Sequence, residues 1–530
     1  GLLLMIESMK RREMSPLPEI VSITDSKAEI RFSKESMQLM FDDLFDAEWI
    51  VVTSKTKWKN ATPIRIEENE NEFDGKKRKE KVYCYKIFQP KLSIYSILFP
   101  TGSESWIKLW RDSLWGTLRG IPATRNVFED RANGNPFSVA GQLWTRLLPG
   151  LESIREKPHI TENIASSQFI GAQDVNAERV PYKGLLHENF LLYFWTIPSL
   201  IYVPQLFTIK GEHQNAGYVF VIPEPLNLVS FSQDIQDFFQ NLNTKTVGFR
   251  PQSSLIDIPQ EGGLEYLCQL TSQRVEQQEL QFSVASVEIH HLEKQGNNIR
   301  IHTSERIVPS TWLIHDYENL KKECRNPIYK SQRIRNLLDG NPWQNGFNSI
   351  FQKYPWEFFI YSKNKTPKVI NFFGQDVEKK FRNIKMEGGS FNMDAEIKDD
   401  QLAVKIYGLI KQYVNRTTEE KSGQKYEGFK NQKNAKGKIN YPQEYLETRE
   451  KICSNAFLAM RGRRDKDFIE YFTGTICSVP QWMPEADYVL VGQALIENWE
   501  LVKTYSMLAL SACSFVGKST QNDDSKGDEQ

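Results

Sequence analysis

The chain has 530 residues, too many for one ordinary domain at about 100–200 residues each. Hydrophobic residues make up 40%, charged residues 25% and aromatic residues 12%, which excludes a wholly disordered chain. Its 67 basic residues face 67 acidic ones, a formal net charge of +0 that on its face argues against a nucleic-acid or membrane-surface partner.

Residues 1–12 hold an apolar run followed by Lys10, Arg11 and Arg12. A signal peptide places its charge ahead of the apolar run, so this order predicts an amphipathic helix instead. Residues 28–32 and 49–52 read as strands. Residues 67–81 change from acidic (Glu67, Glu68, Glu70, Glu72, Asp74) to basic (Lys76, Lys77, Arg78, Lys79, Lys81) across Gly75, the pattern of a self-paired hairpin or loop. Trp106, Trp110 and Leu114 recur at helical spacing and predict a core-facing helix.

Residues 190–207 form the most apolar stretch and just reach membrane-spanning length. Pro198 and Pro204 interrupt it and its aromatics are scattered, which predicts two buried strands around a proline turn. Residues 218–222, 282–287 and 298–301 read as further strands, and Phe231, Ile235, Phe238, Phe239 and Leu242 share one helical face. After about residue 395 the pattern turns helical. Asp399 or Asp400 is placed to cap a helix carrying Leu402, Ile406, Leu409 and Tyr413. Pro442 opens a second helix with Leu446, Ile452, Phe457 and Met460, and Pro484 a long third with Val491, Leu495, Trp499 and Val502.

The expected fold is therefore α+β. Residues 1–150 form a mixed N-terminal region and 151–385 a central α+β region, together one body. A C-terminal helical bundle over 395–518 follows the linker Gly388-Gly389-Ser390, and a polar tail spans 519–530. Six scattered cysteines without a CxxC pair give neither a disulfide framework nor a zinc site; they read as reduced, mostly buried thiols of a cytosolic protein.

Charge is unevenly distributed. Residues 211–290 hold only Lys245, Arg250 and Arg274 as bases against many acids. Residues 321–335 invert this with Lys321, Lys322, Arg325, Lys330, Arg333 and Arg335. Residues 421–438 do so again with Lys421, Lys425, Lys430, Lys433, Lys436 and Lys438, and Arg461, Arg463 and Arg464 lie nearby. Tyr426 and Phe429 are interleaved in the lysine-rich segment. Such cations neutralise phosphates and such aromatics stack on bases; the competing reading is a solvated loop.

Catalytic signals are weak. Residues 515–520 (FVGKST) end like a phosphate-binding loop, but Ala512 stands where its first glycine belongs, and a polar tail follows instead of a helix. His315 and Asp316 have the order of the dyad of a metal-dependent nuclease or phosphohydrolase, with His290, His291 and His302 upstream in a strand-like context; a chance pairing of the two residues is the favoured reading. That enzyme is the alternative to a non-catalytic binding subunit. No serine elbow, HExxH or dinucleotide motif is present, and neither cofactor nor metal is expected.

Four stretches belong together: residues 41–49 (FDDLFDAEW), 110–125 (WRDSLWGTLRGIPATR), 169–181 (FIGAQDVNAERVP) and 191–195 (LLYFW). They resemble the large subunit of a type I CRISPR Cascade complex of the Myxan, type I-B-like branch, versions of which occur in CRISPR-associated transposons. The resemblance covers most of the chain, and LRGIPATR is its most specific part. It implies a cytoplasmic bacterial protein that assembles with guide RNA, Cascade backbone and small subunits and, in transposon-borne versions, transposition adaptor proteins. It also implies recognition of the protospacer-adjacent motif on double-stranded target DNA, stabilisation of the unwound strands by the C-terminal bundle, and no catalysis or membrane.

Under that resemblance, Arg119 and Arg125, flanking Gly120 and Pro122, are candidates for guide or target phosphates; an ion pair with Asp112, Glu129 or Asp130 is the equal alternative. Lys322, Arg325, Arg333, Arg335, Lys425, Lys430, Lys433, Lys436, Arg461, Arg463 and Arg464 are the further nucleic-acid candidates. Asn133 and Asn135, with Gln344 and Asn345, lie in two polar loops able to present amides to base edges, though ordinary surface turns explain either loop. Translation from Met386 or Met393 would release the C-terminal bundle as a free small subunit.

Overall fold

The computed structural model describes residues 1–59, 61–73, 76–98, 104–118, 125–153, 161–164, 180–276, 282–296, 298–362, 372–387, 395–433, 439–479 and 484–515. They divide into two compact units, one of residues 1–206 and 215–314 and one of 207–214 and 315–530.

The first unit is mixed. Helix α1 (Leu2–Arg11) is amphipathic as expected and buries Leu4, Met5, Ile6 and Met9. Helix α2 (Lys34–Leu44) starts at Ser33, whose hydroxyl accepts from Ser36 N while Ser36 Oγ accepts from Ser33 N. Strands β1 (Ala47–Ser54), β2 (Arg65–Phe73) and β3 (Lys76–Pro90) form an antiparallel sheet in the order β1-β3-β2. Its register sets Glu68, Glu70 and Glu72 opposite Lys81, Lys79 and Lys77, so the two charge blocks are the arms of one hairpin. Trp106 and Trp110 on α3 (Glu104–Ser113) are buried, as is Leu114 just past its end. Helix α4 (Asn126–Ala132) follows.

The larger sheet contains β4 (Leu200–Phe207), β5 (Tyr218–Pro225), β6 (Leu255–Ile256), β7 (Val284–Gln295) and β8 (Asn298–Ile307), in the order β6-β4-β5-β7-β8. Only the β6–β4 pair is parallel. Helix α5 (Leu228–Gln240) buries the expected Phe231, Ile235, Phe238 and Phe239, and packs on α6 (Pro259–Glu276), which lies against β5 and β7.

The apolar stretch 190–207 holds one strand, not two. Its first residues end the helix Leu186–Leu191 and form a turn, and only β4 is extended. The reason is an aromatic cluster: Phe190, Tyr193 and Phe194 all pack on Phe41, with Tyr193 closest at 5.0 Å between centroids. A straight strand would point alternate rings away from that cluster. Asp42 and Asp43 beside Phe41 pair with Arg131 and Arg12.

The second unit is helical. It includes α8 (Pro327–Leu338), α9 (Phe373–Glu387), α10 (Ala395–Ser422), α11 (Gln443–Gly462), α12 (Glu485–Glu497) and α13 (Trp499–Ser514). The division between the units falls within α7 (Thr311–Glu323), ahead of the 395 boundary read from the sequence. Helix α13 is buried continuously from Val502 to Ser514, so on every side, the pattern of a central helix. Helices α9, α10 and α11 surround it. Its serines find acceptors in backbone carbonyls, Ser506 Oγ on Val502 O (2.7 Å) and Ser511 Oγ on Phe359 O (2.5 Å).

Two helix starts differ from expectation. Asp399 and Asp400 lie inside α10 rather than at its cap, and Asp400 instead accepts from Trp343 Nε1 at 3.0 Å. The long helix after Pro484 is broken at Asn498, whose side chain accepts from Leu501 N and starts α13 afresh. Pro442 does precede α11, although Tyr445 rather than Leu446 faces the core. All six cysteines are free and only Cys477 is not buried. Gly388-Gly389-Ser390, Met393 and residues 519–530 lie outside the described residues, and Met386 is exposed near the end of α9. Among the described residues no helix is long and apolar enough to cross a membrane.

Candidate nucleic-acid interface

The sequence candidates separate into cations that neighbours already hold and cations that face solvent. Arg125 stacks over the Trp115 ring at 4.8 Å and donates to Trp115 O; burial lowers its pKa. Arg119 and Lys436 lie outside the described residues. Asn133 Oδ1 accepts from Trp49 Nε1 (3.0 Å), while Asn135 is exposed on a loop tied down through its backbone to Asp130 and Arg131.

In the helical unit, Lys322, Arg325 and Arg335 are exposed and have no ion-pair partner among the described residues. Arg325 sits in the turn before α8, where its backbone N–H and that of Asn326 donate to Asp376 Oδ2 at 2.8 and 2.6 Å. Asp376 is buried, and burial raises its pKa to about 6 against the pull of those two bonds. Arg333 is wedged between the Tyr329 and Trp343 rings at 5.8 and 5.9 Å.

Arg333, Gln344 and Asp316 meet around one cleft of about 360 Å³, with Trp343, Lys380 and Asp400. Gln344 is buried in it, with Oε1 lacking a partner among the described residues, and so does not project from the surface as a loop amide. Asn345 is exposed, but its carbonyl is taken by Gln332 and Asn336. Asp316, Glu323, Asp399 and Asp400 outnumber the bases of this cleft, so it disfavours phosphate.

Lys425 and Lys433 are exposed without ion pairs among the described residues, whereas Lys430 pairs with Glu427. Phe429 is buried against Tyr445 at 5.1 Å and is core rather than a stacking platform; Tyr426 stays exposed. Arg461 donates to Gln352 O (2.7 Å), and Arg463 donates to Ala459 O (2.8 Å) and stacks on Tyr471. Arg464 is exposed and unpaired among the described residues. Lys503 is buried and donates to the carbonyls of Arg463 (2.6 Å) and Arg461 (3.3 Å), closing the end of α11; burial, then Arg464, lowers its pKa.

A second cleft of about 360 Å³ was not read from the sequence. Tyr407 and Lys411 on α10, Tyr426, Tyr441, and Tyr445 and Arg449 on α11 line it. The signal was available: Tyr407, Lys411, Asn415 and Glu419 recur every four residues, as do Tyr441, Tyr445 and Arg449, so each set stacks along one side of its chain segment.

The His315–Asp316 dyad lies on the surface of the helical unit. The two side chains are 72% and 53% exposed, adjacent on α7 and 3.3 Å apart. Among the described residues no group of three or more His, Cys, Asp or Glu is placed to hold a metal ion.

Family profiles match the chain in two successive segments. The type I-B CRISPR Cas8b N-terminal domain matches residues 17–280, and the type I-B CRISPR Cas8b C-terminal domain matches 284–513. The chain belongs to the Cas8b family, the large subunit of type I-B CRISPR Cascade. Among curated proteins nothing matches. The C-terminal Cas8b segment begins at Val284, the first residue of β7, so it contributes β7 and β8 to the first compact unit before entering the helical one.

Proposed function

We propose that this Cas8b chain reads a short protospacer-adjacent motif on duplex target DNA and holds the unwound strands within a complex of guide RNA, backbone subunits and small subunits, without chemistry of its own. The succession of both Cas8b segments along nearly the whole chain carries the reading. Base pairing with the guide supplies most of the specificity in such an assembly, which leaves the large subunit a short duplex and much phosphate backbone to bind.

The exposed cations Lys322, Arg325, Arg335, Lys425, Lys433 and Arg464 suit the phosphate contacts. Arg125, Arg333, Lys430, Arg461 and Arg463 already have protein partners and shape the surface around them. Asn135 and Asn345 are the motif-reading candidates whose side chains stay exposed without a hydrogen-bond partner among the described residues. Zero net charge fits weak binding by the lone subunit and firm binding in the assembly.

The test compares complexes assembled with and without this chain, on duplexes bearing an intact or scrambled motif, across a salt series. Motif-dependent, salt-sensitive binding that needs this chain is expected. Equal binding without it would overturn the proposal.

A further inference from the structure

The tyrosine cleft of the helical unit has an unusual floor. Arg449 is 7% exposed, yet it donates to neutral acceptors, Nε to Cys513 O and Nη1 to Asn415 Oδ1, both at 2.7 Å. Among the described residues no carboxylate pairs with it. A buried guanidinium with no carboxylate in contact presents its charge to the nearest open space, here the cleft. Lys411 adds a second cation on the wall, over the Tyr407 ring at 5.8 Å. Two acids line the cleft as well: Glu378 is paired with Arg382 at 3.0 Å, and Glu419 accepts from Tyr426 N at 3.0 Å.

The rim is aromatic. Tyr426 and Tyr441 lie nearly parallel, 6.4 Å between centroids and 30° between planes, and Tyr441 continues to Tyr445 at 6.0 Å and 29°. Phe429 supports all three rings from below, with centroids at 5.6, 5.4 and 5.1 Å. Tyr426 is 37% exposed, so part of the side chain is open to solvent. Lys425, next to Tyr426, and Lys433 on the same segment are exposed.

We infer that this cleft seats one unpaired nucleotide of a single-stranded nucleic acid, its phosphate toward Arg449 and Lys411 and its base against Tyr426 and Tyr441. A volume of about 360 Å³ is small for a ligand site and too small for a base pair with its backbones. Bases in a duplex keep both faces stacked, whereas an unpaired base offers a face to tyrosine. Lys425 and Lys433 follow the phosphates on either side. The inference rests on the proposed function and makes it specific: it names the contact that holds an unwound strand.

The test uses the assembled complex and a short oligothymidylate carrying one photoreactive 5-iodouracil. Crosslinks mapping to the peptides of Tyr426, Tyr441 or Tyr445 are expected. The double variant Tyr426→Ala/Tyr441→Leu should weaken oligothymidylate binding roughly tenfold or more, while Tyr426→Phe/Tyr441→Phe, which keeps the rings, leaves it unchanged. Crosslinks only outside these peptides in the unmutated complex overturn the inference whether or not a variant folds. Loss of binding in Lys425→Glu/Lys433→Glu with no such crosslink overturns it too, yet leaves the proposed function standing, since a strand still binds the basic surface. Failure of the complex to bind any target DNA overturns both. Thymidine monophosphate that displaces the oligonucleotide at a lower concentration than the oligonucleotide's own nucleotides would assign the cleft to a free nucleotide and overturn the strand form.

Discussion

The two compact units are held together in different ways. The first is built on large rings: Phe41 alone touches Phe45, Phe137, Phe190, Tyr193 and Phe194. The second is centred on the buried helix α13, on which α9, α10 and α11 pack, with a smaller ring cluster of Phe351, Phe359, Phe373 and Phe457 beside it. Charge differs in parallel. Described cations of the first unit such as Arg12, Arg31, Lys91, Arg131, Arg146 and Arg306 pair with carboxylates of the same unit. In the second, Lys322, Arg325, Arg335, Lys425, Lys433 and Arg464 face solvent without such partners among the described residues. Exposed cations without an ion pair among the described residues also occur in the first unit, among them Lys27, Lys34, Lys245, Lys294 and Arg300, but the basic runs 321–335 and 421–438 lie in the helical unit.

The contrast in packing is broken most severely by removing volume from the first unit. Phe41→Ala deletes the ring at the centre of its cluster and should cost about 3–5 kcal/mol of stability, read by denaturant unfolding. A loss below 1 kcal/mol would show that the cluster is not the core of that unit.

The next effect is a pH window in the second unit. Asp376 is buried with its pKa raised to about 6, so its protonated form favours the fold. That contribution is fully present below the unfolded pKa near 4 and is lost as pH rises through about 6, roughly 3 kcal/mol at most. Asp376→Asn keeps an oxygen for the N–H groups of Arg325 and Asn326 but does not titrate. Stability of the Asn variant relative to the parent should therefore rise between pH 4 and pH 7, and a flat difference across that range would contradict the assignment.

Adding volume tests the close packing around α13. A Cβ on Gly374 of α9 would lie 2.3 Å from Ser511 O, so Gly374→Ala forces α9 away from α13 and should destabilise by about 1–3 kcal/mol. Gly492 on α12 has open space there, and Gly492→Ala should stabilise by up to about 1 kcal/mol. Thermal midpoints moving in opposite directions would sharpen the picture of α9 as an integral part of the helical unit. A product started at Met386 or Met393 lacks α9 and leaves the face of α13 that it covers exposed.

Much of the fold was legible because local signals and tertiary packing agree. The heptad-like recurrence in α5, the charge inversion across the β2–β3 hairpin and the proline ahead of α11 each describe what the structure contains. Legibility failed where a distant contact decided the outcome. Residues 190–194 have strand-like composition but are drawn into helix and turn by Phe41, far away in sequence. Asp400 looks like a helix cap but bonds Trp343 from within α10. The basic runs were visible as composition, yet composition does not say which cation is spent on a neighbour: Arg333 and Lys430 are, Lys322 and Lys425 are not. The tyrosine cleft was missed because its residues come from α10, α11 and the segment between them, and only the bundle brings them together.

The central claim is that the exposed cations of the helical unit carry nucleic-acid contact while the paired cations of the first unit do not. Its most direct test is the salt dependence of target-DNA binding by the assembled complex for Lys425→Glu/Lys433→Glu against Arg31→Glu/Arg306→Glu. The first pair should weaken binding and flatten the slope of log affinity against log salt by roughly 1 per lost phosphate contact, and the second should change neither. Equal slopes for both variants and the parent would contradict the account.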